Sequence, residues 1–327
     1  MKIFTLFFIV VTLIVSLSSC EEKIEDTQLP SIDIITLPES LIVSKIEFVN
    51  LTKGFLCGGQ KNEYGSIYMT QDGGENWSKC FASDSLSVND FYFLNDSVGF
   101  ACGDSLMLLK TVDGGSNWSI VNLSNYPFEE YKNPYNAVYA NSETNIFLVG
   151  GEHYNKGIYT ETEVGGYPWY HESFDNQFNA LCFVDESIGF FGGYGILIVT
   201  EDGGNTFDYI EFEGENFVDL EVDNNGAVYA VSDQGYVYYS EDLGYNWSTI
   251  VDDFDATFSD LSIGENLSVV CSTNGKVYFS YDETSYWEEF IGVPEQSYYC
   301  TFVNSKNEVF LGSDGGKIYI LDKKRTP

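Results

Sequence analysis

Residues 111–118 read Thr-Val-Asp-Gly-Gly-Ser-Asn-Trp, and closely similar octets recur along the chain. Clear copies begin at Thr70, Thr200 and Ser240, and worn copies begin at Glu163 and Ser280. We call each copy a box. The period is about 40 residues, which is the size of one four-stranded blade of a β-propeller. The repeat therefore predicts the fold before any single residue is interpreted.

Short apolar segments rich in Val, Ile, Tyr and Phe precede each box, as strands of a half-buried sheet would. Before the box at residue 111, for example, the segments are 99–102 and 107–109. Pairs of innermost and second strands start near Ile46, Phe91, Val138, Leu181, Leu220, Leu261 and Cys300. The sequence therefore predicts an all-β fold, a seven-bladed β-propeller of four-stranded antiparallel blades.

The two ends of the repeat series each leave one strand over. The last copy stops after Lys317–Ile320 without a box, and Ile32–Ile35 forms a strand with no blade of its own. An unpaired strand edge exposes hydrogen-bonding groups, so a propeller must close. We expect Ile32–Ile35 to complete the last blade by pairing with Lys317–Ile320, within a propeller that spans residues 31–327.

The box residues predict a structural turn. An aspartate accepts hydrogen bonds from N–H groups of its own turn, paired glycines permit positive φ, and the aromatic residue packs between blades. Oxygen ligands at alternate positions, which a calcium loop needs, are missing, so we expect no metal. The predicted structural residues are Asp72, Trp77, Asp113, Trp118, Asp202, Phe207, Asp242, Trp247, Asp282 and Trp287.

The first 19 residues form a predicted export signal, with a basic start and a short apolar run. The ending Leu17-Ser18-Ser19-Cys20 resembles a bacterial lipobox, which implies cleavage before Cys20 and lipidation of its thiol. An ordinary signal or a short membrane helix is the alternative. Residues 20–30 are polar and predict a tether. Their acidic cluster resembles surface-export signals of Bacteroidota-type lipoproteins, so we expect a lipid anchor at the outer membrane or cell surface, with the periplasmic side also open.

Charge and cysteine usage narrow the classes of partner. The formal net charge is −35, with 15 Lys+Arg residues, and Arg325 is the single arginine. Nucleic acids need a basic surface, so we expect no nucleic-acid partner. We expect contact with the bilayer only through Cys20. Cys57, Cys102 and Cys271 share one repeat position that elsewhere holds Val or Gly, which predicts buried free thiols.

These repeats resemble the Asp-box, or bacterial neuraminidase repeat, superfamily. The unit from Phe93 to Trp118 is most similar to propellers of the photosystem II stability/assembly factor-like family. That resemblance implies a scaffold or chaperone-like binding role. The sialidases of the superfamily bind the carboxylate of their substrate with three arginines, so Arg325 alone excludes sialidase chemistry. The basic patch of the photosystem assembly factors is also missing here, and the photosynthetic role is not carried over.

We expect a ligand on the face opposite the boxes, where the innermost strands begin around a channel mouth. We expect long, aromatic connections there, one through Tyr126 and Tyr131 and one through Trp169, Tyr170 and His171, joined by loops 61–64 and 152–155. Aromatic and amide side chains suit a sugar or a peptide segment. The alternative is that these aromatic residues only pack between neighbouring blades and bind no ligand. The candidate ligand-binding residues are Tyr126, Tyr131, Trp169, Tyr170, His171, Asn89, Asn136 and Asn179.

The sequence favours a cell-envelope lipoprotein that acts as a non-catalytic, assembly-factor-like scaffold for a protein or carbohydrate, without a cofactor. The alternative is a glycoside hydrolase that uses Asp90, Asp219 and Asp260 at the channel mouth. Two carboxylates about 5–10 Å apart would favour the enzyme. Scattered, solvated carboxylates would favour the scaffold.

Overall fold

The computed structural model describes residues 31–123, 133–162, 169–281 and 286–322. Its elements, in chain order, are the following strands, with a 3₁₀ turn at Asp104–Leu106 before β8: β1 (Ser31–Thr36), β2 (Ile42–Phe48), β3 (Gly54–Gln60), β4 (Tyr64–Thr70), β5 (Ser78–Ser83), β6 (Val88–Phe93), β7 (Gly99–Gly103), β8 (Met107–Thr111), β9 (Ser119–Ile120), β10 (Tyr135–Ser142), β11 (Asn145–Glu152), β12 (Lys156–Thr162), β13 (Trp169–Phe174), β14 (Phe178–Phe183), β15 (Gly189–Thr200), β16 (Asp208–Val222), β17 (Val228–Ser232), β18 (Tyr236–Ser240), β19 (Ser248–Asp252), β20 (Phe258–Ile263), β21 (Ser268–Ser272), β22 (Val277–Ser280), β23 (Glu288–Glu289), β24 (Tyr298–Val303), β25 (Val309–Ser313) and β26 (Lys317–Asp322). Within these ranges, a helix of the length and apolarity needed to span a bilayer does not occur.

The described strands form six antiparallel sheets. Five have four strands, in the orders β2-β3-β4-β5, β6-β7-β8-β9, β10-β11-β12-β13, β20-β21-β22-β23 and β1-β26-β25-β24. The sixth sheet has six strands, in the order β14-β15-β16-β17-β18-β19. The all-β propeller is confirmed.

The prediction of seven separate four-stranded blades is wrong, because two long strands merge the segments that the repeat had separated. β16 has 15 residues and pairs with β15 up to Asn216 and with β17 from Phe217 onward. β15 has 12 residues and pairs with β14 before Tyr194 and with β16 from Tyr194 onward. No proline interrupts Asp208–Val222, and the sheet continues past the irregularity at Gly214, where φ is 88° and the pairing with β15 shifts register.

Closure of the ring follows the prediction made from the two unmatched ends. β1 pairs antiparallel with β26, with Ile32 opposite Leu321 and Thr36 opposite Lys317. The predicted pairing of Ile32–Ile35 with the C-terminal strand is therefore confirmed. The last inner strand also meets the first, since the Cys300 thiol donates to the Val43 carbonyl at 3.4 Å.

The apolar core is distributed around the ring. Among the described residues, seven hydrophobic clusters follow one another, six between neighbouring sheets and one between the two halves of the six-stranded sheet. The cluster at the closure, for example, brings the Phe48 and Phe310 ring centroids to 4.7 Å. Cys57, Cys102 and Cys271 lie fully buried in second strands as free thiols. Burial raises the pKa of each of these thiols well above its ordinary value.

Candidate binding face and central channel

The ring has two unlike faces. The box face carries the boxes, which connect third and fourth strands, as residues 71–77 connect β4 to β5. The channel-mouth face carries the starts of the inner strands and the turns between second and third strands, such as residues 61–63 between β3 and β4. Antiparallel pairing puts these features at opposite ends of each sheet. Each face therefore presents its own set of side chains.

The boxes are hydrogen-bonded turns. The Asp113 carboxylate accepts from the Asn117 backbone N–H at 2.9 Å, the Asn117 amide at 2.8 Å and the Thr111 hydroxyl at 2.9 Å. The Gly115 N–H donates to the Thr111 hydroxyl at 2.9 Å. These donors, the Asn117 side chain above all, hold the pKa of Asp113 below its ordinary value. The same pattern surrounds Asp72, Asp202 and Asp242.

The other box positions also serve packing. Gly115 has a φ of 81°, and a Cβ there would lie 2.3 Å from the ring of Phe55 in the preceding sheet, so only glycine fits. The Trp77 indole N–H donates to the Gly74 carbonyl at 3.0 Å, and its ring meets Phe48 edge-on. The remaining aromatic box residues also pack against the hydrophobic clusters of the ring: Trp118, Phe207, Trp247 and Trp287. In these copies the box residues make hydrogen bonds within their own turn and pack against the apolar core, and Asp282 lies outside the described residues.

A central channel with a volume of about 600 Å³ runs between the inner strand segments. In the described part of the chain these segments are β2, β6, β10, β14, residues 217–222 of β16, β20 and β24. Each has a β-bulge at the same place. A bulge leaves one residue without a ladder partner and re-aims its side chain. The bulged residues are Ser44, Asn89, Asn136, Asn179, Val218, Ser259 and Tyr299.

The predicted ligand-binding asparagines occupy three of these bulges. The Asn89 amide donates to the Tyr135 carbonyl at 2.9 Å, and the Asn136 amide donates to the Phe178 carbonyl at 2.7 Å. The Asn179 amide donates to the Phe217 carbonyl at 2.8 Å. Each amide therefore ties one inner strand to the next around the channel. All three also line the channel, and their contact with a ligand stays a prediction.

The three aspartates named for a hydrolase directly follow such bulges and make a second set of inter-strand bonds. Asp90 accepts from the Val138 N–H at 2.8 Å, and Asp219 accepts from the Leu261 N–H at 2.9 Å. Asp260 accepts from the Thr301 N–H at 2.6 Å. Since each carboxylate satisfies a backbone donor of the neighbouring inner strand, its presence has a structural reason.

The channel concentrates negative charge. Lys45 lies 2.8 Å from Asp90 and 3.9 Å from Glu47. Burial raises the pKa of Asp219 to about 6 and that of Glu221 to about 8, and neighbouring carboxylates add to both shifts. Burial would lower the pKa of Lys45, but the charges of Asp90 and Glu47 outweigh it and raise that pKa well above its ordinary value. The carboxylates therefore share one cavity rather than lying scattered in solvent.

The aromatic residues named from the sequence lie elsewhere. Trp169, Tyr170 and His171 belong to β13, the outer strand of its sheet, and not to a loop at the channel mouth. Trp169 pairs with Thr162 at the box end and packs against the core between two sheets. Their placement in a mouth loop is wrong, because the segment continues the sheet as its fourth strand. Tyr126 and Tyr131 lie outside the described residues.

His171 and Tyr170 have local partners. The His171 Nδ1 lies 3.0 Å from the Thr160 hydroxyl, and burial lowers the pKa of His171 to about 4. Tyr170 is exposed, and its hydroxyl donates to Glu172 at 3.2 Å. Neither residue faces the channel. Trp169, Tyr170 and His171 therefore lie at the outer edge of the propeller and not at the channel.

Two aromatic residues that were not among the candidates do lie on the channel-mouth face. Tyr154 is in the turn between β11 and β12, and Tyr194 is in β15 where its pairing changes from β14 to β16. Their ring centroids are 4.9 Å apart, and both rings are exposed. The sequence did contain a signal for Tyr154, because the middle position of this turn is polar in other repeats, as at Asn62 and Gln234.

Comparison with known proteins identifies related chains. A family model described as "Photosynthesis system II assembly factor YCF48" matches residues 25–128 and 126–326. The chloroplast photosystem II stability/assembly factor HCF136 of Arabidopsis thaliana is 24% identical over 250 residues, which are 74% of this chain and 48% of that protein. The Oryza sativa subsp. japonica HCF136 is 28% identical over 102 residues, which are 28% of this chain and 24% of that protein. The chain thus spans between about a quarter and about half the length of these relatives.

Solved structures share the fold. YCF48 bound to a D1 peptide superposes with a TM-score of 0.70 at 17% identity, covering 92% of this chain and 99% of that one. YCF48 from Cyanidioschyzon merolae gives 0.68 at 16% identity, covering 90% and 99%. A streptogramin B lyase gives 0.71 at 12% identity, covering 89% and 97%. At such identities the likeness shows the propeller fold alone, because propellers serve many functions.

Proposed function

The chain belongs to the family of the photosynthesis system II assembly factor YCF48, and we propose from this premise that it is a non-catalytic propeller that binds a protein segment on its channel-mouth face. The observation that carries the proposal is the contrast between a repeated backbone frame and unlike turns on that face. Variable turns on a rigid scaffold are where binding usually resides.

A peptide-sized partner is supported by the relatives. The YCF48 structure with a D1 peptide is that of a propeller with a bound peptide, and HCF136 is described as a stability/assembly factor. The present chain has a formal net charge of −35, so its surface chemistry has to determine which partner it binds. We therefore propose that it binds a segment of another protein, as an assembly factor does, and we do not propose a photosynthetic partner.

The channel carboxylates share one cavity, as the hydrolase alternative requires, but their hydrogen bonds favour a non-catalytic role. Asp90, Asp219 and Asp260 each accept a hydrogen bond from a backbone N–H of the next inner strand. A carboxylate used in this way holds the ring together and is poorly placed to change partners during hydrolysis. The curated relatives are described as assembly factors, which also favours binding over catalysis.

We further propose that the protein works in the cell envelope, anchored through lipid on Cys20. The lipobox-like Leu17-Ser18-Ser19-Cys20 supports this placement. Growth with an alkyne-labelled fatty acid tests it, since the label should attach to the wild type and be lost in Cys20→Ser. Labelling that persists in Cys20→Ser would contradict the anchor.

Site-specific photo-crosslinking tests the binding function. A benzoylphenylalanine is placed at the exposed mouth-face residues Glu63 and Gln234, and at the exposed box-face residues Ser116 and Asn205 as matched controls. We expect discrete protein adducts in the envelope from the mouth-face positions only. Adducts confined to the box face, or hydrolysis of envelope glycans by the purified chain, would contradict the proposal.

A further inference from the structure

Tyr154 and Tyr194 set one sector of the channel-mouth face apart from the others. Tyr154 is 58% exposed and Tyr194 is 42% exposed, yet their ring centroids lie only 4.9 Å apart with an interplanar angle of 50°. The other described turns between second and third strands contain no aromatic residue: residues 61–63, 104–106, 233–235, 273–275 and 314–316. The pair is therefore a singular feature on a repeated frame.

One short turn holds the backbones of both tyrosines. The Gln177 side-chain carbonyl accepts from the Tyr154 N–H at 3.1 Å, and the Gln177 N–H donates to the Tyr154 carbonyl at 3.1 Å. The Tyr194 N–H donates to the Gln177 carbonyl at 3.1 Å, and the Asn176 amide donates to the Tyr194 carbonyl at 2.9 Å. The backbones of both tyrosines are thus held before any ligand arrives, and the two rings contact each other, which reduces the entropy lost on binding.

The same turn connects the pair to the channel. The Gln177 amide donates to the Asn179 side-chain carbonyl at 2.7 Å, and Asn179 lines the channel. Hydrogen bonds through Gln177 therefore join the turn that carries Tyr154 to a residue of the channel lining.

The backbone that presents Tyr154 is strained. His153 has a φ of 61° and Tyr154 has a φ of 64°, in the left-handed region that non-glycine residues rarely occupy. Two successive residues in this conformation cost folding free energy, and such strain concentrates at ligand sites. The hydrogen bonds to Gln177 maintain the conformation.

The negative charge on the channel-mouth face favours a positively charged ligand. The channel is lined by the carboxylates of Glu47, Asp90, Asp219, Glu221 and Asp260, against the one cationic side chain of Lys45 among the described residues. Lys45 is already paired with Asp90 at 2.8 Å. Beside the tyrosines, the Lys61 ammonium is paired with Glu152 at 3.4 Å, and Asp175 is exposed. The field at the mouth therefore attracts positive charge and repels acidic segments.

We propose that Tyr154 and Tyr194 form the anchoring platform for a positively charged peptide segment, with arginine or lysine side chains over the rings and their charge facing the acidic channel mouth. Guanidinium groups stack on tyrosine faces, and exposed aromatic rings attract cations. The proposal rests on the proposed function and adds the chemical class of the partner segment. Gln177 acts as a positioning residue because it holds the backbones of both tyrosines.

Fluorescence anisotropy with the full-length protein tests the platform. The probe is a labelled peptide of alternating Gly and Arg, and the comparison probes replace Arg with citrulline or Glu. We expect the Arg peptide to bind, and the citrulline and Glu peptides to bind at least roughly tenfold more weakly. Binding should weaken as salt rises, since the attraction is partly screened.

Variants separate the platform from general acidity. Tyr154→Ala and Tyr194→Ala should each weaken binding of the Arg peptide by roughly tenfold. Tyr154→Phe and Tyr194→Phe should retain it, because the ring face is kept. Tyr209→Ala, on an exposed tyrosine of β16, is the matched control and should bind like the wild type. Gln177→Ala should weaken binding while Gln177→Glu, which keeps an acceptor for the Tyr154 N–H, should restore much of it.

Several results would overturn the platform. They are an Arg peptide that does not bind, equal losses in the three tyrosine-to-alanine variants including the Tyr209→Ala control, and tighter binding of the citrulline peptide or of a neutral oligosaccharide such as cellohexaose. If crosslinks between the channel-mouth face and an envelope protein persist in these cases, the proposed function stands and only the tyrosine platform is rejected. If those crosslinks are also absent, both the platform and the proposed function are rejected.

Discussion

The box face and the channel-mouth face both repeat around the ring, but they differ in how closely the repeated residues resemble one another. On the box face, Asp113 and its counterparts Asp72, Asp202 and Asp242 accept the same turn hydrogen bonds, and the second glycine of each box packs closely against an aromatic ring. On the channel-mouth face the bulges recur, yet the bulged residue is Asn, Ser, Val or Tyr. Repetition is strict at the turns of one face and relaxed at the other.

The difference separates support from recognition. A turn that only has to close a hairpin works with one set of contacts, so every copy can be alike. A face that discriminates between partners needs side chains that differ from sector to sector. The channel-mouth face has that variety in the Tyr154–Tyr194 pair and in the unequal charges around Lys45. Four experiments sharpen the contrast.

Removal of the closing strand should have the largest effect, because both faces depend on a closed ring. Deletion of residues 31–36 would leave β26 without its partner and expose an open edge. We expect aggregation and loss of a cooperative melt, measured by size-exclusion chromatography and circular dichroism. A variant that begins at Ser31 is the control and should fold. A monomeric, cooperatively melting deletion variant would contradict the role of β1.

A single inter-strand contact at the channel mouth should matter more than one box turn. Asp90→Ala leaves the buried Val138 N–H without its acceptor and Lys45 without its 2.8 Å partner. We expect a loss of about 1–3 kcal/mol in the free energy of unfolding, measured by urea denaturation. Asp90→Asn keeps an acceptor and should lose less. Asp96→Ala, at an exposed turn on the box face, is the control, and a loss there equal to that of Asp90→Ala would remove the contrast.

The acidic channel predicts that stability falls as pH rises. Burial raises the pKa of Asp219 to about 6 and that of Glu221 to about 8, and it also raises the pKa of Glu47 and Asp260. A carboxyl whose pKa is raised on folding contributes stability below its unfolded pKa, and that contribution is lost as pH rises through the folded value.

The melting temperature should therefore decrease between about pH 5 and pH 9, and the decrease should be smaller in Glu221→Gln. The Lys45 ammonium also faces Glu221, but its pKa is raised well above its ordinary value, so Lys45 stays charged across this range. Differential scanning calorimetry measures the profile. A Glu221→Gln profile parallel to that of the wild type would show that the general negative charge, not the channel, causes the decrease.

The smallest effect is expected at one box. Asp113→Ala removes the acceptor for the Asn117 N–H and amide in an exposed turn, and the other boxes remain. We expect a slight decrease in melting temperature, read by differential scanning fluorimetry, and no loss of peptide binding. Calcium should leave the wild type unchanged. A calcium-dependent increase in the wild type that Asp113→Ala abolishes would make the box a metal site.

The sequence by itself determined the local structure of this protein. The box octets predicted the turns, and the unmatched strands at the two ends predicted the pairing of β1 with β26. The repeat also predicted which positions are buried, as at Cys57, Cys102 and Cys271. These features depend on residues close in sequence or on one periodic pattern, and such signals survive without a structure.

The tertiary structure decided how the strands group and what the mouth residues contact. Continuity of β15 and β16 merged segments that the repeat had separated, because hydrogen bonding and not local composition ends a strand. Asn89 and Asp90 became ties to the next inner strand, and Trp169 became part of the core between two sheets. Tyr154 and Tyr194 lie 40 positions apart in the numbering, and only the packing of two sheets brings their rings together. Contacts between distant residues depend on how sheets pack, which periodicity within one repeat does not specify.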